Sequence, residues 1–215
     1  MNSNSALFTG TNISLRFLRY MTPKYKSDKN KYFSKLEEKV AKRLKKSRFR
    51  HTLGVAHTSA CLAMRYGADP DRAYLAGLLH DVAKNLSDCE LLDGAKEYGL
   101  KVTDFEKMHP FMLHGPLGAR IAEEEFDIDD REILLAIENH TTGRRGMGLL
   151  EEIVFTADYM ENGRDKAPGL DRIRALAFED IKKCIRAILE NTVKYLQEGR
   201  EDMDERILEV LDSYE

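Results

Sequence analysis

The sequence predicts an all-α fold. From Tyr32 almost to the C-terminus, apolar residues recur at three- and four-residue spacing, the period of an amphipathic helix. Helix-start signals punctuate that pattern, and no window shows the alternation and β-branched enrichment of a strand. No internal repeat interrupts it, and 215 residues are enough for one substantial core.

The elements follow in order. Phe33, Leu36, Val40 and Leu44 give one face of a first helix. A second runs from about Arg50 to Tyr66 and stops at Gly67, a residue suited to the left-handed position after a helix end. Asp69-Pro70 supplies an N-cap and a proline at the first helical position. The helix it opens carries Ala73-Tyr-Leu-Ala-Gly-Leu-Leu-His80-Asp81-Val-Ala83, which should be buried nearly all round. Ser87-x-x-Glu90 and Thr103-x-x-Glu106 are capping boxes for two short helices. Pro116 falls in the first turn of the next helix and leaves His114 just outside it. Asp129 or Asp130 starts another, with Ile133, Leu134 and Ile137 on one face and His140 at its end. Leu149 to Tyr159 is strongly apolar and contains Asp158. One long helix then carries the stripe Ile173, Leu176, Ile181, Ile185, Ile188, Val193 and Leu196, suited to core packing or a homodimer interface. Ile207, Leu208 and Leu211 mark a final short helix, so residues 201–215 form a C-terminal element packed on or near the main domain, residues 31–200. Residues 1–30 lack sustained periodicity and are expected to be a mobile extension, with a short amphipathic piece around Ile13 to Tyr20 and Met21 as an alternative start.

Composition narrows the class. Hydrophobic residues at 42% and charged residues at 33% suit an ordinary soluble protein. No apolar run is long enough for a membrane helix, and no secretory signal is read, so a cytoplasmic location is expected. Cys61, Cys89 and Cys184 lack a CxxC pair and are expected to be reduced and mostly buried. The net charge of −3 hides an asymmetry: residues 1–50 hold 14 Lys/Arg against 3 Asp/Glu. That basic arm suits the solvated face of the first helix better than nucleic-acid binding, for which no recognition motif is present.

Burying the His80-Asp81 pair in apolar surroundings costs several kcal/mol unless something compensates, and a metal ion is the usual compensation. His51, His80, Asp81, His114, His140 and Asp158 form a candidate ligand set. Imidazole and carboxylate donors together suit iron, manganese, zinc or cobalt. Four histidines with two aspartates exceed the four ligands of a structural zinc. They suit two metals sharing a carboxylate, with Asp81 as the bridge. Taken singly, His51 is more often a cap or core residue, His114 a turn residue, and Lys84 a surface lysine near a helix end. His57 and His109 read as structural.

Arg50-His51-Thr-Leu-Gly-Val-Ala, His80-Asp81-Val-Ala-Lys84, His114-Gly-Pro-Leu-Gly-Ala, His140-Thr-Thr-Gly-Arg144 and Ala157-Asp158-Tyr together resemble the HD-domain metallohydrolases. More closely they resemble the YqeK-type symmetrical bis(5′-nucleosyl)-tetraphosphatases, over about residues 35 to 200. The resemblance implies a helical HD bundle with a dinuclear metal site in its core. It also implies a di-iron-type centre, with manganese or cobalt as alternatives, and cleavage of diadenosine tetraphosphate into two ADP. Glu161-Asn-Gly-Arg164 departs from the family, which more often has proline before Asn-Arg.

On that basis one metal falls to His51, His80, Asp81 and Asp158, and the other to Asp81, His114 and His140. Catalytic roles fall to His80, Asp81 and Lys84. Lys84, Thr141, Thr142, Arg144, Arg164 and Asp165 are substrate-binding candidates, joined by His114, His140 and Asp158. Three other readings stay open: another HD nucleotide phosphohydrolase, an HD di-iron oxygenase, and a non-catalytic nucleotide- or RNA-binding module.

Overall fold

A computed structural model describes residues 28–199 and 202–214. The expected N-terminal extension therefore lies, apart from residues 28–30, outside the described residues. The chain divides into two compact units, residues 1–35 and 36–215. The candidate site described below lies within the second.

The described residues form α1 (Lys29–Arg43), α2 (Lys46–Tyr66), α3 (Pro70–Leu79), α4 (Asp88–Glu97), α5 (Asp104–Met108), a 3₁₀ turn (Pro110–Leu113), α6 (His114–Glu125), α7 (Arg131–Glu138), α8 (Leu149–Met160), α9 (Leu170–Glu179), α10 (Ile181–Gly199) and α11 (Arg206–Asp212). No strand occurs among them. The capping signals act as the sequence predicts. Asp69 accepts from Asp71 N and Arg72 N ahead of Pro70, Asp130 caps α7, and Ser87 and Thr103 each close a capping box.

The hub is α8, which packs against α2, α3, α7, α9 and α10. Its residues Leu150 to Ala157 are all buried, including Glu151 and Glu152. Helix α3 lies along α2, and the approach is close because the facing residues are small. A Cβ on Gly77 would stand 2.8 Å from the Ala56 Cα. Helices α6 and α7 meet in the same way, since a Cβ on Gly115 would lie 2.6 Å from the Glu138 carbonyl. These two close contacts set the spacing of the histidines described below. Leu78 and Leu79, fully buried, anchor α3, each contributing roughly 1.5–3 kcal/mol.

Four expectations are corrected. The second helix begins at Lys46, a turn earlier than Arg50. The third helix stops at Leu79, and His80 to Asn85 continue as successive turns, with Val82 N, Lys84 N and Leu86 N each bonding the carbonyl three residues back. His80 Nδ1 bonds the Gly77 carbonyl at 2.6 Å, which draws that acceptor away from the helical ladder. The stripe at 173–196 is split at Asp180, whose extended backbone (φ −150°) and side chain cap Lys182 N and Lys183 N to start α10. Finally, Cys61 and Cys89 are exposed and only Cys184 is buried, there held as a thiol with its pKa pushed by burial up to about 12.

Candidate metal centre

The six candidate ligands come from five places in the fold. His51 projects from the second turn of α2, and His80 and Asp81 from the turns after α3. His114 is the first residue of α6 rather than a residue just outside it, His140 follows α7, and Asp158 sits in the last turn of α8. The structure brings all six together.

Asp81 divides them. Its Oδ2 faces His80 Nε2 at 3.2 Å and His51 Nε2 at 3.9 Å. Its Oδ1 faces His114 Nε2 at 3.5 Å and His140 Nε2 at 3.8 Å. Asp158 Oδ1 completes the first side, 2.9 Å from His51 Nε2 and 3.8 Å from His80 Nε2. Ligand atoms of His80, Asp81 and His140 also lie within 4.8 Å of one another, so the two groups adjoin closely.

Proton positions follow from the partners. Nδ1 of His80, His114 and His140 each meets the carbonyl three residues back, at Gly77 (2.6 Å), Phe111 (2.6 Å) and Ile137 (2.8 Å). A carbonyl only accepts, so Nδ1 carries a proton in each ring and Nε2 turns into the cluster. His51 Nδ1 instead meets Glu161 Oε1 at 3.0 Å. His114 and His140 Nε2 stand 3.1 Å apart. Burial lowers both imidazole pKa values, that of His140 to about 4, so both rings are neutral at pH 7. Burial also opposes charge on His80, but the adjacent Asp81 carboxylate outweighs it and raises the pKa. For Asp81, burial is outweighed chiefly by the adjacent His80, and the carboxylate pKa lies well below its usual range.

This donor set fits divalent cations. The His80 Nε2 is buried without a hydrogen-bond partner, an arrangement that costs about 1–3 kcal/mol if nothing binds there. Imidazole nitrogens, carboxylates held ionised and Nδ1 groups fixed by outer partners are what borderline metal ions require.

The cations around the cluster include one the sequence reading missed. Arg48 NH1 donates to Asp81 Oδ2 at 3.0 Å. Arg164 donates to the Asp158 carbonyl at 3.0 Å and to its Oδ1 at 2.9 Å. Lys84, half-buried, places Nζ 3.1 Å from His114 Nε2, and burial pulls its pKa down. Glu161 was also missed. Its carboxylate holds His51, accepts from Gly163 N at 2.6 Å, and rests where a Cβ on Gly54 would stand. The available signal was spacing, since Arg48 lies one helical turn before His51 and Glu161 three residues after Asp158.

The remaining candidates separate. Thr141 Oγ1 reaches His140 Nε2 at 3.2 Å and His114 Nε2 at 3.3 Å, within the cluster. Thr142 turns to the Gly143 carbonyl. Arg144 is engaged at all three guanidinium nitrogens, by Glu151 at 2.7 and 2.6 Å and by the Arg145 carbonyl at 3.2 Å. The captor is a buried carboxylate, and its bidentate pull turns Arg144 to α8. Asp165 is exposed on the wall of a neighbouring cavity. His57 packs edge-on against Tyr74, and His109 lies against Phe105, both outside the cluster.

Comparison with known proteins bears on this geometry. The HD domain family model matches residues 48–163. The chain is 40% identical over 157 residues to the symmetrical bis(5′-nucleosyl)-tetraphosphatase of Halalkalibacterium halodurans, covering 73% of this chain and 83% of the relative. It is 37% identical to the enzyme of that name from Bacillus subtilis, again over 73% and 83%. The chain is a member of the HD-domain family, in the branch of these tetraphosphatases. A solved HD superfamily hydrolase from Clostridium acetobutylicum, described as involved in NAD metabolism, superposes on 85% of this chain and 96% of its own. The TM-score is 0.82 at 34% identity. Every candidate ligand lies inside the matched HD segment.

Proposed function

We propose that this chain is a metal-dependent phosphohydrolase that cleaves diadenosine tetraphosphate symmetrically into two ADP. The observation that carries the reading is the division of the cluster by Asp81, with two histidines facing each of its oxygens. Its relatives bear the name of that activity.

His51, His80, Asp81 and Asp158 would hold one divalent ion, and Asp81, His114 and His140 the other. We favour iron, with manganese or cobalt compatible with the same donors. When bound, such a pair lowers the pKa of water and neutralises charge on phosphoryl oxygens. The chain's own residues do the rest. Asp81 remains ionised and so can face both halves at once. Lys84 offers an ammonium beside His114, and Thr141 a hydroxyl between His114 and His140. Arg164 and Arg48 set guanidinium groups, suited to phosphate, at the His51 edge. Water adds across the central phosphoanhydride, one P–O bond breaks, and each half leaves as ADP. No described helix is long and apolar enough to cross a membrane, and the three cysteines are unpaired. Both suit action in the cytoplasm.

Diadenosine tetraphosphate should be incubated with protein loaded with iron, manganese or cobalt, and the nucleotides resolved by chromatography. ADP as the sole nucleotide product is expected. ATP plus AMP, no turnover with any of these metals, or oxygen uptake without phosphate chemistry overturns the reading.

A further inference from the structure

Between α8 and α9 the chain turns through Glu161-Asn162-Gly163-Arg164. Two side chains of this turn reach candidate ligands: Glu161 holds His51 Nδ1, and Arg164 sits on Asp158. The turn also walls a cavity of about 610 Å³ beside His51. Glu161 can keep its aim only if the backbone that carries it is fixed.

Arg174, in the second turn of α9, meets that requirement. Its Nε donates to the Met160 carbonyl at 3.1 Å. Its Nη2 donates to the carbonyls of Glu161 at 3.1 Å and Arg164 at 2.8 Å. Arg164 N closes the turn onto the Glu161 carbonyl at 2.9 Å. Gly163 N donates to the Glu161 carboxylate, and a Cβ on Gly163 would stand 3.0 Å from both carboxylate oxygens. Gly169, at φ +67°, reverses the chain into α9 and brings Arg174 back to the turn.

An arginine on the last carbonyls of a helix is ordinarily a cap, satisfying acceptors that the helix leaves open. The Met160 and Glu161 carbonyls fit that role. The Arg164 carbonyl does not, because it lies beyond the end of α8. The guanidinium therefore spans the whole turn. Its donors point in fixed directions within one plane, so the three carbonyls it gathers cannot shift independently. None of its hydrogen bonds goes to a candidate ligand.

We propose that Arg174 is a positioning residue of the metal centre, locking the Glu161–Arg164 turn and so aiming the Glu161 carboxylate at His51. This rests on the metal site proposed above and not on the identity of the substrate.

The test is calorimetric titration of the metal-free full chain with manganese(II) or cobalt(II). Arg174→Ala should weaken one site roughly tenfold, the lower end of what a lost outer partner costs, and leave the other unmoved. Arg174→Lys keeps the charge but loses the fork, so it should weaken the same site. In a Glu161→Ala background, Arg174→Ala should change neither site further, because residues acting through one contact are not additive. A lowered Tm with both sites unmoved, full recovery in Arg174→Lys, or additive loss in the double variant overturns the role and leaves the metal reading standing. Uptake of neither ion by the wild-type chain defeats the metal reading. Nuclear magnetic resonance of the metal-free chain then still decides the role. The ring N–H of His51 should lose protection from exchange in Arg174→Ala, while those of His114 and His140 keep theirs. Retained protection at His51 overturns the proposal.

Discussion

The two flanks of Asp81 use the same kinds of ligand and hold them by different means. On the His114–His140 flank both imidazoles are buried, and each Nδ1 is fixed by a backbone carbonyl within its own turn. On the other flank His80 is held in that way, but His51 is oriented by the Glu161 carboxylate from a different element. That flank is also where Arg48 and Arg164 reach the carboxylates and where the large cavity opens. One side is set by the backbone. The other is set by replaceable side chains and faces the space a substrate would fill.

Asp81→Asn should break both flanks together, because one carboxylate oxygen becomes an amide nitrogen that cannot ligate. Activity should fall to background, and the metal content of the purified chain should drop from two ions to one or none. Retention of two ions per chain by elemental analysis would separate Asp81 from the bridging position argued here. Glu161→Gln should act on one flank only. It preserves size, but the neutral amide no longer polarises His51 Nδ1, an outer-partner loss typically worth about 10–100-fold in metal affinity. Calorimetric titration should show one weakened site and one unmoved. Equal weakening of both would erase the contrast between the flanks.

Much of this was legible in the chain, for identifiable reasons. Asp69, Ser87, Thr103 and Asp130 act within three residues of themselves, so their caps could be read from spacing alone. The six candidate ligands stood out because histidines and aspartates in apolar surroundings need compensation. Helix ends inside the cluster were less legible. The turn that stops α3 at Leu79 depends on where His80 Nδ1 points, and apolar periodicity carries no such information. Glu161 and Arg48 act across 110 and 33 residues, through packing of α2 against the ends of α8 and α3. Arg144 and Arg164 looked equivalent, each in a loop just after a candidate ligand. What separates them is a carboxylate neither loop advertises: Glu151, buried on α8, captures Arg144.

That capture gives the smallest effect and the cleanest contrast. Arg144 stands on the loop that follows His140, the backbone-set flank, and its pairing with Glu151 is partly exposed on the arginine side. Arg144→Ala leaves the Glu151 carboxylate with bonds from Gly148 N and Asn139 Nδ2, so it is weakened without being stranded. The expected cost is about 1–3 kcal/mol of stability, read as a lowered Tm of roughly 2–4 °C per kcal/mol for a domain of this size. KM for diadenosine tetraphosphate should stay near the wild-type value, because all three guanidinium nitrogens are already engaged within the fold. Arg164→Ala, on the open flank, should raise KM instead. If Arg144→Ala raises KM as much as Arg164→Ala does while Tm holds, the guanidinium must leave Glu151 for the substrate.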